Sequence, residues 1–293
     1  MQGGLPETPP TDAAVFARLT RPPGSLRSPV PPQGGTFGRR KLPHRGSGCR
    51  PTLAGMARVI NMWAAPRNIS TAMMYAWAQR ADTTVWDEPM YAHFLVETGA
   101  EHPLGDEVVA ADISDRDEVI ERMLHGDWDT PIVFYKNMAH HLVGFDPAVI
   151  DRMDNYLLTR DPVEMLPSLY RGLGRVPTFR DTSYGGQVEI VERIAASGRQ
   201  PIVVDSRDVL DDPAGTLSRL CEALDVPFDD AMLSWEAGPK PYDGVWGSHW
   251  YRRLHTTTGF EPYQPSTEPF PEELEGLLDA CRPRYEELRR HAI

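Results

Sequence analysis

The run Pro66-Arg67-Asn68-Ile69-Ser70-Thr71 combines features suited to holding an anion. An arginine fork can place two donors on phosphate oxygens. Ser70 opens a stretch rich in Ala and Met that predicts a helix over 70–80, with Ser70 as its cap. Backbone N–H groups at a helix start attract negative charge, and the helix dipole adds to the pull. Arg67, Asn68, Ser70 and Thr71 are therefore candidate ligand contacts. The run lacks the Gly-x4-Gly-Lys-Ser/Thr pattern of an ATP-binding loop. An ordinary capped helix with Arg67 on the surface accounts for it equally well. A second basic group, Arg160, closes Tyr156-Leu157-Leu158-Thr159 and precedes Asp161-Pro162. Ser168 lies about two turns into the helix that Pro162 begins. The plain alternative for Arg160 is a salt bridge to Asp161 or Asp181.

Lysine is scarce: only Lys41, Lys136 and Lys240 among thirty basic residues. Lys136 at the end of an apolar run marks a need for a compact ammonium, which a guanidinium does not replace. His140 and His141 follow it, and Asp87-Glu88-Pro89 closes another apolar run. Two residues here can take a proton. His140, four residues after Lys136, has an ordinary pKa of about 6.5. Glu88, if partly buried, would have a raised pKa and could take a hydroxyl proton. The plain readings are loop histidines paired with nearby acids, a helix-capping Asp87, and Glu88 salt-bridged to Arg67. A Schiff-base role for Lys136 with pyridoxal phosphate is a further alternative.

The elements that must position these residues are short. Strands are expected at Arg58–Trp63, Thr84–Trp86, Pro131–Tyr135, Asn155–Thr159 and Pro201–Val204, as brief apolar, β-branched runs. Helical patterns fill 115–125, 162–172, 185–198, 213–224 and 271–290. That alternation predicts an α/β fold, a central parallel sheet with helices on both faces. Ligands in such folds bind beyond the carboxyl ends of the strands, where Arg67, Asp87, Glu88, Lys136 and Arg160 all fall.

The chain of 293 residues carries a net charge of −12, which argues against nucleic acid as a main partner. An anionic ligand then needs a local basic site. Cys49, Cys221 and Cys281 are an odd, scattered set, so neither a disulfide framework nor a structural zinc is expected, and a reducing, cytoplasmic setting is the default. No metal is implied, since no ligand cluster has suitable spacing. No apolar run approaches the roughly 18 residues of a membrane helix. Residues 1–55 are Pro/Gly/Arg-rich, with eight Lys/Arg against two Asp/Glu in the first fifty. They are expected to be a disordered extension, leaving 56–293 as the folded domain.

Pro66-Arg67-Asn68-Ile69-Ser70-Thr71 resembles the 5′-phosphosulfate loop of P-loop sulfotransferases, whose bacterial members carry Pro-Arg-x-x-Ser-Thr there. Arg160 with Ser168 resembles the family's 3′-phosphate motif, about 90 residues further on. The stretch from Met73-Met74-Tyr75 through Asp87-Glu88-Pro89-Met90-Tyr91 resembles a bacterial sulfotransferase-like branch, and the likeness runs from about Arg58 to the C-terminal part. The resemblance implies a P-loop NTPase-like sulfotransferase fold. It implies sulfuryl transfer from 3′-phosphoadenosine 5′-phosphosulfate to a small hydroxyl or amine acceptor, without a metal. Arg67, Asn68, Ser70, Thr71, Arg160 and Ser168 would bind the donor. Lys136 would stabilise the leaving group, and His140, which a tight turn would bring over the donor sulfate, is favoured over Glu88 as base. Family members carry a Lys-Thr-His run, which here reads Lys136-Asn137-Met138-Ala139-His140-His141, with the His displaced. The family's Arg-Lys-Gly donor loop is absent, which leaves Arg252 or Arg253 for that task. Rival readings are a P-loop kinase or hydrolase, which predicts a Walker lysine and magnesium dependence, and a non-catalytic nucleotide-binding protein.

Overall fold

The computed structural model describes residues 57–293. The expected extension at 1–55 lies outside the described residues. Five parallel strands form one sheet: β1 (Arg58–Ala64), β2 (Thr83–Asp87), β3 (Ile132–Met138), β4 (Asp154–Thr159) and β5 (Val203–Asp205), in the order β2-β3-β1-β4-β5. β1 is central, and its side chains alternate between two apolar layers. Ile60 and Met62 pack on one face of the sheet and Trp63 on the other. Both faces are covered, so the strands read as continuous apolar runs.

Ten α-helices accompany the strands among the described residues, four of them after β5. In chain order they are α1 (Ser70–Ala78), α2 (Tyr91–Thr98), α3 (Gly105–Ala111), α4 (Arg116–His125), α5 (Pro162–Leu173), α6 (Tyr184–Ala196), α7 (Ser206–Asp211), α8 (Pro213–Ala223), α9 (Gly247–Trp250) and α10 (Glu275–Arg289). Residues of α1 and α8 pack into one layer, and those of α4, α5, α6 and α10 into the other. No helix of the described residues is long and apolar enough to cross a membrane.

The strand expectations hold with one instructive shift. β3 does not stop at Tyr135 but runs through Lys136 and Asn137 to Met138. The two polar residues look like terminators in sequence, yet both are buried with partners. Asn137 Nδ2 donates to Asn61 Oδ1 of β1 at 2.7 Å, and the Lys136 ammonium meets carboxylates of β2 and the residue after it. Satisfied polar groups let a strand continue through the interior. Helices α2, α3, α7 and α9 were not foreseen. Each is eight residues or shorter, and α2 and α3 have no side-chain cap to announce them.

Candidate active site

The site lies beyond the carboxyl ends of β1–β4, around a cavity of about 720 Å³. Two neighbouring strands, β1 and β4, supply its basic half. The loop after β1 places Arg67 and Ile69 in the left-handed backbone region, at φ 60° and 62°. For a non-glycine residue that conformation costs on the order of 1–3 kcal/mol and clusters at ligand sites. Ile69, not Ser70, occupies the cap position of α1, and no side chain caps the helix. The leading amides of α1 therefore remain open toward the cavity, beside the buried Ser70 and Thr71 that line it.

Arg67 donates from Nε to Ser168 Oγ at 3.0 Å, and its guanidinium lies 5.8 Å from the centre of the Trp250 ring. No carboxylate among the described residues pairs with it. Burial, then the like charges of Arg160 and Arg171, lower its pKa. Arg160 donates to the Arg67 carbonyl at 2.8 Å and to Glu164 at 3.1 Å. The plain expectation for Arg160 thus has the right kind of partner in the wrong place: Glu164, one helical turn along, rather than Asp161 or Asp181. Arg171 pairs with Glu268 at 3.1 Å on the cavity rim. It escaped the sequence reading, although its i+3 spacing from Ser168 puts both on one face of α5. Arg67, Ser168 and Arg160 gather as expected. Three guanidinium groups thus face one cavity, and Arg67 is the one among them with no carboxylate partner among the described residues, an arrangement suited to an anion.

Asn68 departs from expectation. Its side chain is fully buried and donates to the Leu158 carbonyl, while Ser206 Oγ donates to the Asn68 backbone carbonyl at 2.7 Å. Asn68 braces the loop against β4 and the start of α7, and its Oδ1 is left without a hydrogen-bond partner at the cavity.

The neighbouring strands β2 and β3 supply the other half. Lys136 is completely buried, and its three protons are all committed. They go to Asp87 Oδ1 at 2.7 Å, to Glu88 Oε1 and to the Tyr251 hydroxyl at 2.8 Å. Burial opposes its charge, but Asp87 and then Glu88 outweigh that and raise its pKa. Lys136 borders the cavity without a spare donor for a leaving group, contrary to the sequence reading. Tyr251 is equally committed. It accepts from Trp246 Nε1 at 2.7 Å and donates to Asp87 Oδ2 at 2.8 Å.

Glu88, at φ 44°, is the third strained non-glycine residue of the site. Only its Oε1 is taken, by Lys136, rather than by Arg67. Oε2 accepts no hydrogen bond and lies 3.7 Å from His141 Nδ1. Burial pushes the Glu88 carboxyl up to about 7; Lys136 opposes this and Asp87 adds to it. His140 also lines the cavity, but its Nδ1 pairs with Ser183 Oγ at 2.5 Å, and burial drives its pKa down to about 3. A base so weak is a poor acceptor of a hydroxyl proton at neutral pH. Of Arg252 and Arg253, only Arg253 lines the cavity, and it is exposed and paired with Glu261 at 3.0 Å. Among the described residues no group of His, Cys, Asp and Glu is arranged to hold a metal ion.

Residues 57–292 match the family described as a sulfotransferase domain. Two proteins of Arabidopsis thaliana, branched-chain-amino-acid aminotransferase-like proteins 1 and 2, are each 36% identical over 234 residues. Those matches cover 80% of this chain but 42% of either relative, so the chain spans less than half their length. Among solved structures, the sulfotransferase domain from the curacin biosynthetic pathway superposes with a TM-score of 0.51 at 14% identity. The superposition covers 78% of this chain and 99% of that one, a likeness of fold.

Proposed function

The chain belongs to the sulfotransferase-domain family, and on that footing we propose that it moves a sulfuryl group from 3′-phosphoadenosine 5′-phosphosulfate to a small-molecule hydroxyl or amine acceptor. The observation that carries the reading is Arg67, a guanidinium without a carboxylate partner, bonded to Ser168 and braced by Arg160 beside the uncapped start of α1. The open amides of α1, with Ser70 and Thr71, suit the 5′-phosphate, and Arg67 lies between this cradle and Ser168. Arg160 and Ser168 suit the 3′-phosphate. The donor supplies an activated sulfuryl group, and the protein's part is to position and to stabilise charge.

Glu88 is the base in this reading. Oε1 is anchored by Lys136, and Oε2 is free to receive the acceptor proton. Lys136 acts through Glu88: it orients the carboxylate and keeps it ionisable in a buried setting. Charge on the departing phosphate falls to Arg67 and the α1 amides. The relatives' aminotransferase-like name does not transfer to Lys136, whose three protons are held by Asp87, Glu88 and Tyr251.

Calorimetry with adenosine 3′,5′-bisphosphate, AMP and ATP tests the donor assignment. The bisphosphate should bind well and the two others weakly. ATP binding as tightly, with magnesium-dependent hydrolysis, would replace this reading with a kinase-like one.

A further inference from the structure

His141 has no part in the mechanism above, yet it is 1% exposed and lines the same cavity. Its ring lies flat against Tyr91, with centroids 4.7 Å apart and planes 4° apart, and Phe94 stacks on it at 4.7 Å and 29°. The packing fixes the ring plane. Its Nδ1 is buried and has no hydrogen-bond partner. Such an atom carries a desolvation penalty unless a ligand satisfies it. It faces Glu88 Oε2 at 3.7 Å, too long for a hydrogen bond.

One oxygen can satisfy both atoms. At about 2.8–2.9 Å from each, ordinary hydrogen-bond distances, it closes a triangle on that separation. Opposite a carboxylate oxygen, the tautomer with a proton on Nδ1 is favoured, because a bare nitrogen lone pair would repel it. Burial, reinforced by His140, His102, Lys136 and Arg180, keeps the imidazole neutral. The pair therefore presents one donor, on His141, and one acceptor, on Glu88.

We infer that His141 Nδ1–H and Glu88 Oε2 together grip the acceptor atom, and that this atom is a hydroxyl oxygen rather than an amine nitrogen. The inference rests on the donor and base assignments above. A hydroxyl gives its proton to Glu88, accepts from His141 with one lone pair and attacks sulfur with the other. The O–S bond forms as the bond from sulfur to the donor's phosphate oxygen breaks. That oxygen keeps the electron pair, and the proton rests on Glu88. An alkylammonium has no lone pair to offer His141. A neutral amine has one, needed for the attack, so His141 would stay unpartnered. Sites built to bond a group discriminate strongly against a substitute that leaves a buried polar atom unpaired.

The test uses matched probes, phenol with aniline and cyclohexanol with cyclohexylamine, and follows sulfated product. His141→Phe keeps the stack between Tyr91 and Phe94 without the donor, and His141→Asn restores an N–H near the Nδ1 position. At least one hydroxyl probe should react at least about a hundredfold faster than its amine partner. His141→Phe should cut that rate by about 10²-fold, as for loss of one preorganised donor, with adenosine 3′,5′-bisphosphate affinity unchanged. His141→Asn should recover part of the rate. Equal use of amines, reaction of neither hydroxyl probe, or full activity in His141→Phe would overturn the inference. A wild-type protein that fails to bind the bisphosphate would instead bring down the donor assignment beneath it.

Discussion

Arg160 donates to the backbone carbonyl of Arg67 at 2.8 Å, across 93 residues of sequence, so the end of β4 and the loop after β1 are tied together. Removing Arg160 should therefore do two things. It takes a charged partner from the 3′-phosphate, and it loosens the strained loop after β1. A lost charge-assisted hydrogen bond costs on the order of 2–3 kcal/mol, or roughly 30–150-fold in affinity. Arg160→Ala should weaken adenosine 3′,5′-bisphosphate by at least that factor in calorimetry, while AMP remains weak in both proteins. An unchanged bisphosphate affinity would detach Arg160 from donor recognition.

Lys136 should prove a stability residue first. Lys136→Met leaves Asp87 and Glu88 buried without their shared cation, and breaking a buried pair from one side costs about 3–5 kcal/mol. The deficit should be larger at pH 8 than at pH 5, because a proton on Glu88 removes one of the two unpaired charges. Thermal melts of the variant and the parent at both pH values check this. A variant that melts like the parent would mean that the ammonium contributes no net stabilisation.

The β-branched runs made the strands legible, but not their order β2-β3-β1-β4-β5, which depends on pairing between distant segments. The gathering of Arg67, Arg160 and Ser168 was legible because its features are local: a fork, a helix start, a hydroxyl two turns along. Lys136 and Asn68 were not. A sequence shows that a polar residue ends an apolar run, but not whether a distant Asp87, Tyr251 or Leu158 will receive its protons. The choice between His140 and Glu88 was hidden for the same reason. It depends on which side chain the turn after β3 buries against Ser183 and which keeps an oxygen open.

Gly172 has a part that no motif reveals. A Cβ there would stand 2.5 Å from Trp250 Cζ3, and Trp250 lies beneath the Arg67 guanidinium. The indole cannot yield without moving the surface on which Arg67 rests. Gly172→Ala should weaken bisphosphate binding several-fold and quench or shift Trp250 fluorescence. Retention of full affinity would mean that Arg67 is held by Ser168 alone.

The pH dependence of Glu88 separates the two candidate bases. Its folded pKa, up to about 7, is above the ordinary carboxylate value. A base must be unprotonated, so turnover should rise with pH through about 7 and level off above it. A His140 base with a pKa near 3 would give a flat profile over that range. The same shift has a stability consequence of definite sign. A carboxyl whose pKa is raised by folding contributes stability that is fully present below its unfolded pKa and is lost as pH rises through the folded value. Glu88→Gln removes that loss, so its melting temperature relative to the parent should climb between pH 5 and pH 8. The variant should bind adenosine 3′,5′-bisphosphate normally and lose about 10²–10⁴ in rate, the usual contribution of a general base. His140→Ala should keep most of its turnover. If His140→Ala loses that activity and Glu88→Gln retains it, the proton goes to the imidazole, and Glu88 serves only as the counter-ion of Lys136.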